Sequence, residues 1–200
     1  MKKRPAKPIY TTESVLDIQD YLKYKNYRNY VLFILGVTTG YRAGDLVKLK
    51  VRDIKEALKR KEFTIYEGKK MNSKNIKEKN RKPRTVEIIP SVAKILKEYI
   101  KDKKDYEYIF KSRKGTNEHI GVKAVTDILK DAAAYFNLQD ITAHSMRKTY
   151  AYKIYLSSDK DIVAVKELLG HRSIEETKRY IGLDKEKYHQ YSKSLSDFVR

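Results

Sequence analysis

Leu168-Leu169-Gly170-His171-Arg172-Ser173-Ile174-Glu175-Glu176-Thr177-Lys178-Arg179-Tyr180 is the stretch on which the reading of this chain turns. It closes an apolar helix, predicted over 161–169, on Gly170, a residue suited to the left-handed turn that ends helices. A histidine follows at once. Ser173 and Glu176 have the spacing of a capping box and open a second, short helix that ends near Tyr180. Taken alone, the stretch is one helix–turn–helix among many. It gains meaning from two earlier stretches, Gly40-Tyr41-Arg42 and His144-Ser145-Met146-Arg147.

Working outward, the chain reads as mainly α with a small antiparallel β-sheet, an α+β fold. Thr11 or Thr12 caps a helix with Val15, Ile18 and Leu22 on one face. A second helix starts near Asn29. Its apolar residues Tyr30, Val31, Phe33, Ile34, Leu35 and Val37 cover most of its circumference, which places it in the core, and it stops at Gly40. Residues 63–67 and 85–89 read as strands, with a third at 76–80. Pro90-Ser91 opens a helix carrying Val92, Ile95, Leu96, Tyr99 and Ile100 on one face. Another carries Val125, Ile128, Leu129, Ala132, Ala133 and Phe136. Ser145 is the expected cap of the next helix, which begins beside His144 and holds Arg147 in its first turn, where free N–H groups favour an anion. Asp184 is the expected cap of a final helix striped with Tyr188, Tyr191, Leu195 and Phe198.

Two hundred residues suit one compact domain, expected over 12–183, with a basic arm at 1–11 and the final helix at 184–200. The absence of cysteine excludes disulfides and thiolate metal sites. No apolar run approaches membrane-spanning length. Lys and Arg number 45 against 26 Asp and Glu, a net charge of +19, which favours a polyanionic partner over a merely basic surface. From Lys69 to Arg84 there are eight basic residues and one acid, Glu78. Lys69, Lys70, Lys74, Lys77, Arg81, Lys82 and Arg84 are therefore candidate contacts to a DNA backbone. A solvated charged loop is the competing reading.

Four groups carry the chemistry: Arg42, His144 with Arg147, His171, and Tyr180. Arg42, beside a buried helix end, is either a structural ion-pair partner, with Asp45 in reach, or an anion clamp. Two guanidiniums hold the non-bridging oxygens of a phosphodiester and stabilise its transition state. Imidazoles move protons near neutral pH. A tyrosine attacks phosphorus and conserves the bond energy in a phosphotyrosine. That chemistry needs neither metal nor nucleotide, and no cofactor is expected.

With these residues in place, the chain resembles the catalytic domain of the tyrosine recombinases, the phage integrase family, from about Thr12 to Ile181. The resemblance rests on three ordered boxes: Thr39-Gly40-Tyr41-Arg42-Ala43-Gly44-Asp45-Leu46, Thr142-Ala143-His144-Ser145-Met146-Arg147-Lys148-Thr149, and Leu168 to Ser173 leading to Tyr180. It implies that Arg42 and Arg147 clamp the scissile phosphate. Tyr180 attacks to give a 3′-phosphotyrosine and a free 5′-hydroxyl. His144 assists proton transfer and His171 hydrogen-bonds the phosphate. It also assigns a catalytic lysine in a hairpin turn. Lys79 fits best, with Lys69, Lys70 and Lys82 as alternatives. Asp45 stands where the family more often has glutamate, supporting the site from behind.

The same resemblance implies double-stranded DNA as partner, a monomer in free solution and a tetramer on synapsed DNA. The final helix would then either close its own core or dock on a neighbouring protomer. A cytoplasmic protein encoded by a prokaryote, phage or mobile element is expected. Larger members carry a separate N-terminal clamp. Its lack of room here suggests an excised catalytic domain or kinship with short recombinases such as the fimbrial inversion switches. Two rival readings are a type IB topoisomerase and a non-catalytic DNA-binding module.

Overall fold

The computed structural model describes residues 5–65 and 83–183. The predicted strand at 76–80 and the predicted helix from Asp184 onward lie outside them. The chain forms two compact units, residues 1–150 and 151–200.

In the first unit, α1 (Thr12–Lys25) is capped by Thr11, whose side chain accepts the Ser14 N–H. Ile18 and Leu22 are buried on its inner face. The second helix, α2 (Tyr27–Thr39), begins two residues earlier than expected, because Asn26 takes the cap and accepts the Asn29 N–H. Every residue from Tyr30 to Gly36 is buried, so α2 is the axis about which this unit packs. Two helices were not foreseen: α3 (Ala43–Leu46), which Arg42 precedes, and α4 (Val51–Arg60). Val51, Ile54 and Ala57 line the buried face of α4.

Strands β1 (Glu62–Ile65) and β2 (Arg84–Glu87) pair antiparallel, with Phe63 opposite Val86. The first begins one residue before the predicted 63–67, whose last two residues lie outside the described ones; the second spans 84–87, stopping two residues short of the predicted 85–89. Pro90 at the start of α5 (Pro90–Ile100) has no N–H to extend a ladder, and it suits a helix entry. The helix α6 (Val122–Tyr135) buries Val125, Leu129, Ala132 and Ala133, as its period required. Between α5 and α6, Ile109 and Phe110 enter the core, at 1% and 0% exposure.

The helix α7 (Ala143–Ser157) begins earlier than Ser145 suggested. Thr142 takes the position before it and accepts the His144 N–H at 3.3 Å. Ser145 lies inside the first turn, and its Oγ accepts the Thr142 N–H at 3.0 Å. Thr142, not Ser145, is thus the residue that precedes the helix, and each of the two hydroxyls accepts a nearby backbone N–H.

The second unit continues α7 from Ala151 and adds α8 (Ile162–Leu169) and α9 (Ile174–Ile181). Its core is Ala151, Val165, Leu169 and Ile181. Asp161 caps α8 by accepting the N–H groups of Val163 and Ala164, both at 2.9 Å. Ser173 caps α9 by accepting the Glu176 N–H at 3.1 Å. The predicted capping box is only half made: the Glu176 carboxylate accepts the Arg172 N–H instead, at 3.0 Å.

Candidate active site

The first-unit residues gather at the C-terminal end of α2. Gly40 adopts φ +62°, and its N–H donates to Gly36 O, the single-bond form of a left-handed helix stop. Gly36 and Gly40 are four residues apart and share one face of α2. A Cβ built on Gly36 would lie 2.3 Å from Met146 Sδ, and one on Gly40 2.4 Å from Tyr150 Cδ1. Met146 and Tyr150 are themselves four apart on α7. The glycine pair is therefore the groove that lets α7 seat on α2 in one register.

That register sends Arg147, between the two seated side chains, to the end of α2. Its Nη1 donates to Gly40 O at 2.6 Å, and the residue is only 3% exposed. Arg84 reaches the same end from β2, its Nη2 donating to Thr39 O at 2.8 Å. The Arg84 guanidinium lies 5.7 Å from the Tyr150 ring centroid. Both bonds satisfy carbonyls that a helix end leaves without intrahelical partners, at the negative pole of the helix dipole. Arg42 follows two residues after Gly40 and is half-buried, with Nη1 wholly enclosed. Two guanidiniums thus meet at one helix end, with Arg42 two residues beyond it in the chain, a concentration of positive charge suited to a phosphodiester.

Asp45 sits in the first turn of α3 with Oδ2 enclosed. Tyr41 is 4% exposed and stands edge-on to Phe63, with ring centroids 5.8 Å apart. Burial raises the Tyr41 phenol's pKa above its ordinary value, so it remains neutral packing material. His144 is exposed, in the first turn of α7, three residues before Arg147.

In the second unit, Gly170 ends α8 at φ +65°. The His171 N–H donates to Lys166 O at 3.0 Å and the Gly170 N–H to Glu167 O at 3.0 Å, the paired bonds of a Schellman stop. His171 is thereby fixed at the first position beyond the stop. Its ring stands edge-on to that of Tyr180, with centroids 4.9 Å apart and planes at 72°. Tyr180 is half-buried on α9, packed against the second unit's core. The His171 Nδ1 lies 3.1 Å from Thr177 Oγ1.

Of the predicted residues, Arg84 and Arg147 meet at the α2 end, Arg42 and Asp45 follow that end within five residues of Gly40, and His144 lies on the helix that carries Arg147. His171 and Tyr180 are ring neighbours. Lys69, Lys70, Lys74, Lys77, Lys79, Arg81 and Lys82 lie outside the described residues. Sequence reasoning missed Gly36, Tyr150 and Thr177. A glycine pair spaced by four on a core helix was the available signal for the first two. Among the described residues, no His, Asp and Glu side chains are grouped to hold a metal ion. No helix among them is long and apolar enough to cross a membrane.

The phage integrase family profile matches residues 9–187. The probable integrase/recombinase YoeC of Bacillus subtilis is 34% identical over 90% of this chain and 91% of its own length. The tyrosine recombinase XerA of Pyrococcus furiosus is 28% identical over 85% of this chain, which spans only 55% of that relative. In fold, the chain is similar to the XerH site-specific recombinase bound to its difH substrate. The TM-score is 0.64 at 21% identity, over 96% of this chain and 55% of that one. By profile, relatives and architecture together, the chain belongs to the phage integrase family.

Proposed function

We propose that this protein cuts and rejoins double-stranded DNA at specific sites through a phosphotyrosine at Tyr180. Arg42 and Arg147 hold the non-bridging oxygens of the scissile phosphate. The Tyr180 oxygen attacks phosphorus and loses its proton, with His144 assisting the transfer. The bond to the 5′-oxygen breaks, and Lys79 protonates that leaving oxygen. His171 hydrogen-bonds the phosphate, and Asp45 supports the arginine cluster. A 5′-hydroxyl from a second strand then reverses the step, so one phosphodiester is exchanged for another without ATP.

The observation that carries this reading is the buried Arg147 guanidinium, anchored on the carbonyl of Gly40, two residues before Arg42 in the chain. Surface attraction to DNA does not need a buried arginine. Stabilising charge on a pentavalent phosphate does, because a guanidinium excluded from water acts more strongly there. A net charge of +19 and the DNA held by the similar XerH protein support DNA as partner. On synapsed DNA the assembly is a tetramer of chains that are monomeric when free. The reaction belongs to the cytoplasm of a prokaryotic cell.

A plasmid carrying two copies of the DNA flanking the gene tests this reading. The expected result is exchange between the copies, without metal or ATP. Relaxation of supercoils with no exchange would replace the reading with that of a type IB topoisomerase. Tight binding with neither reaction would leave only a binding module.

A further inference from the structure

We infer that Thr177 is a positioning residue that holds neutral His171 with its proton on Nδ1, leaving Nε2 as the nitrogen that gains and loses a proton. Its catalytic consequence rests on the function proposed above; the tautomer itself does not.

Thr177 is 0% exposed, in the middle of a short helix. A valine of the same shape would fill that position without bringing a hydroxyl into the core. The hydroxyl has two partners. It lies 3.2 Å from Ser173 O, four residues back along α9, and 3.1 Å from His171 Nδ1. A threonine hydroxyl carries one proton. A carbonyl oxygen accepts but never donates, so the hydroxyl proton goes to Ser173 O. The remaining contact is made only if Thr177 Oγ1 accepts, and then His171 Nδ1 must be the donor. The second ring nitrogen, Nε2, consequently bears a lone pair in the neutral ring and a proton only in the imidazolium.

The surrounding bonds keep this pair in register. The Schellman stop sets the His171 backbone, and the Ser173 cap together with the Glu176–Arg172 bond fixes the intervening turn. The consequence is chemical. A neutral His171 held this way accepts a proton at Nε2, and it donates a hydrogen bond to a phosphate oxygen from that atom only after protonation. His171's contribution to the reaction is therefore linked to pH through a single atom.

The test is ¹⁵N NMR of the full-length protein, with His171 assigned through His171→Gln among the four histidines of the chain. Wild type at alkaline pH should show a pyrrole-type Nδ1 and a pyridine-type Nε2. Thr177→Ser, which keeps the hydroxyl, should preserve that pattern. Thr177→Val should shift the balance toward the Nε2–H form and lower the His171 pKa, because the imidazolium loses the acceptor for its Nδ1 proton. The His171-dependent limb of a single-turnover cleavage profile should move to lower pH in Thr177→Val alone. A wild-type ring protonated on Nε2, or a Thr177→Val ring unchanged in tautomer and pKa, would overturn the inference. The NMR readout needs no DNA, so a failure of the recombinase reading leaves it intact, and the reverse holds too.

Discussion

Gly40→Ala isolates the device that brings Arg147 to the end of α2. The new methyl meets two obstacles. The first is the backbone, held at φ +62°, a region that costs a residue with a Cβ about 1–2 kcal/mol. The second is the Tyr150 ring, whose Cδ1 and Cε1 lie 2.4 and 2.8 Å from the new Cβ. Tyr150 is 7% exposed and stands on a helix, so the ring has little room to retreat. Overpacking of that kind costs about 1–3 kcal/mol. Together they amount to about 2–5 kcal/mol, a fall in Tm of roughly 4–20 °C for a chain of this size. A double-mutant cycle in urea with Tyr150→Ala separates the terms. The clash vanishes in the Tyr150→Ala background and the backbone cost remains, so the two substitutions should couple by about 1–3 kcal/mol. Additive effects would refute the seating of Tyr150 on Gly40. A Gly40→Ala protein as stable as wild type would refute the strained turn as well.

Other outcomes follow from the same geometry. Arg84→Ala should lower stability by about 1.5–3 kcal/mol in urea denaturation, the range for a hydrogen bond from a charged group, because Thr39 O loses its donor. Weaker DNA binding at unchanged stability would instead make Arg84 an ordinary backbone contact. Tyr99, whose hydroxyl donates to Ile109 O at 2.6 Å, has its pKa pushed up from 10.0 to about 12 by burial, against the opposing pull of Arg28. An unfolded tyrosine ionises first, so the stability from neutral burial is complete below pH 10 and is lost as the pH rises toward 12. Tyr99→Phe should therefore lose less stability than wild type over that interval in urea melts, and an identical loss would contradict the assignment. DNA affinity should fall steeply with salt, and a plot of log affinity against log salt that is nearly flat would argue against phosphate neutralisation as its source.

Much of the fold was legible because local chemistry and burial agree. The apolar circumference of α2 marked it as the core helix, and Gly40 and Gly170 marked two helix ends where the backbone does turn left-handed. Other features were hidden for physical reasons. The four residues of α3 are too few to show a period. The narrow stripe of Val51, Ile54 and Ala57 in α4 is interleaved with charged residues. Thr142 and Ser145 both offer a hydroxyl, and only the backbone decides which one precedes the helix. Arg84 reads as one more cation in a basic run, and its bond to Thr39 spans 45 positions. The three family boxes exposed the candidate site, yet the way Arg147 is held depends on a groove of two glycines that carries no chemistry of its own. Thr177 stayed silent because a threonine in a short helix reads as surface until its burial is known.

The proposed DNA strand-transfer reaction depends on Tyr180 as its nucleophile. Nicked duplexes built from the DNA flanking the gene, mixed with wild type or Tyr180→Phe and denatured in SDS, test it most directly. A covalent adduct with wild type alone, mapped by peptide mass spectrometry to Tyr180 on a 3′-phosphate, is the expected result. An adduct of undiminished yield from Tyr180→Phe, mapped to Tyr188 or Tyr191, would contradict the account.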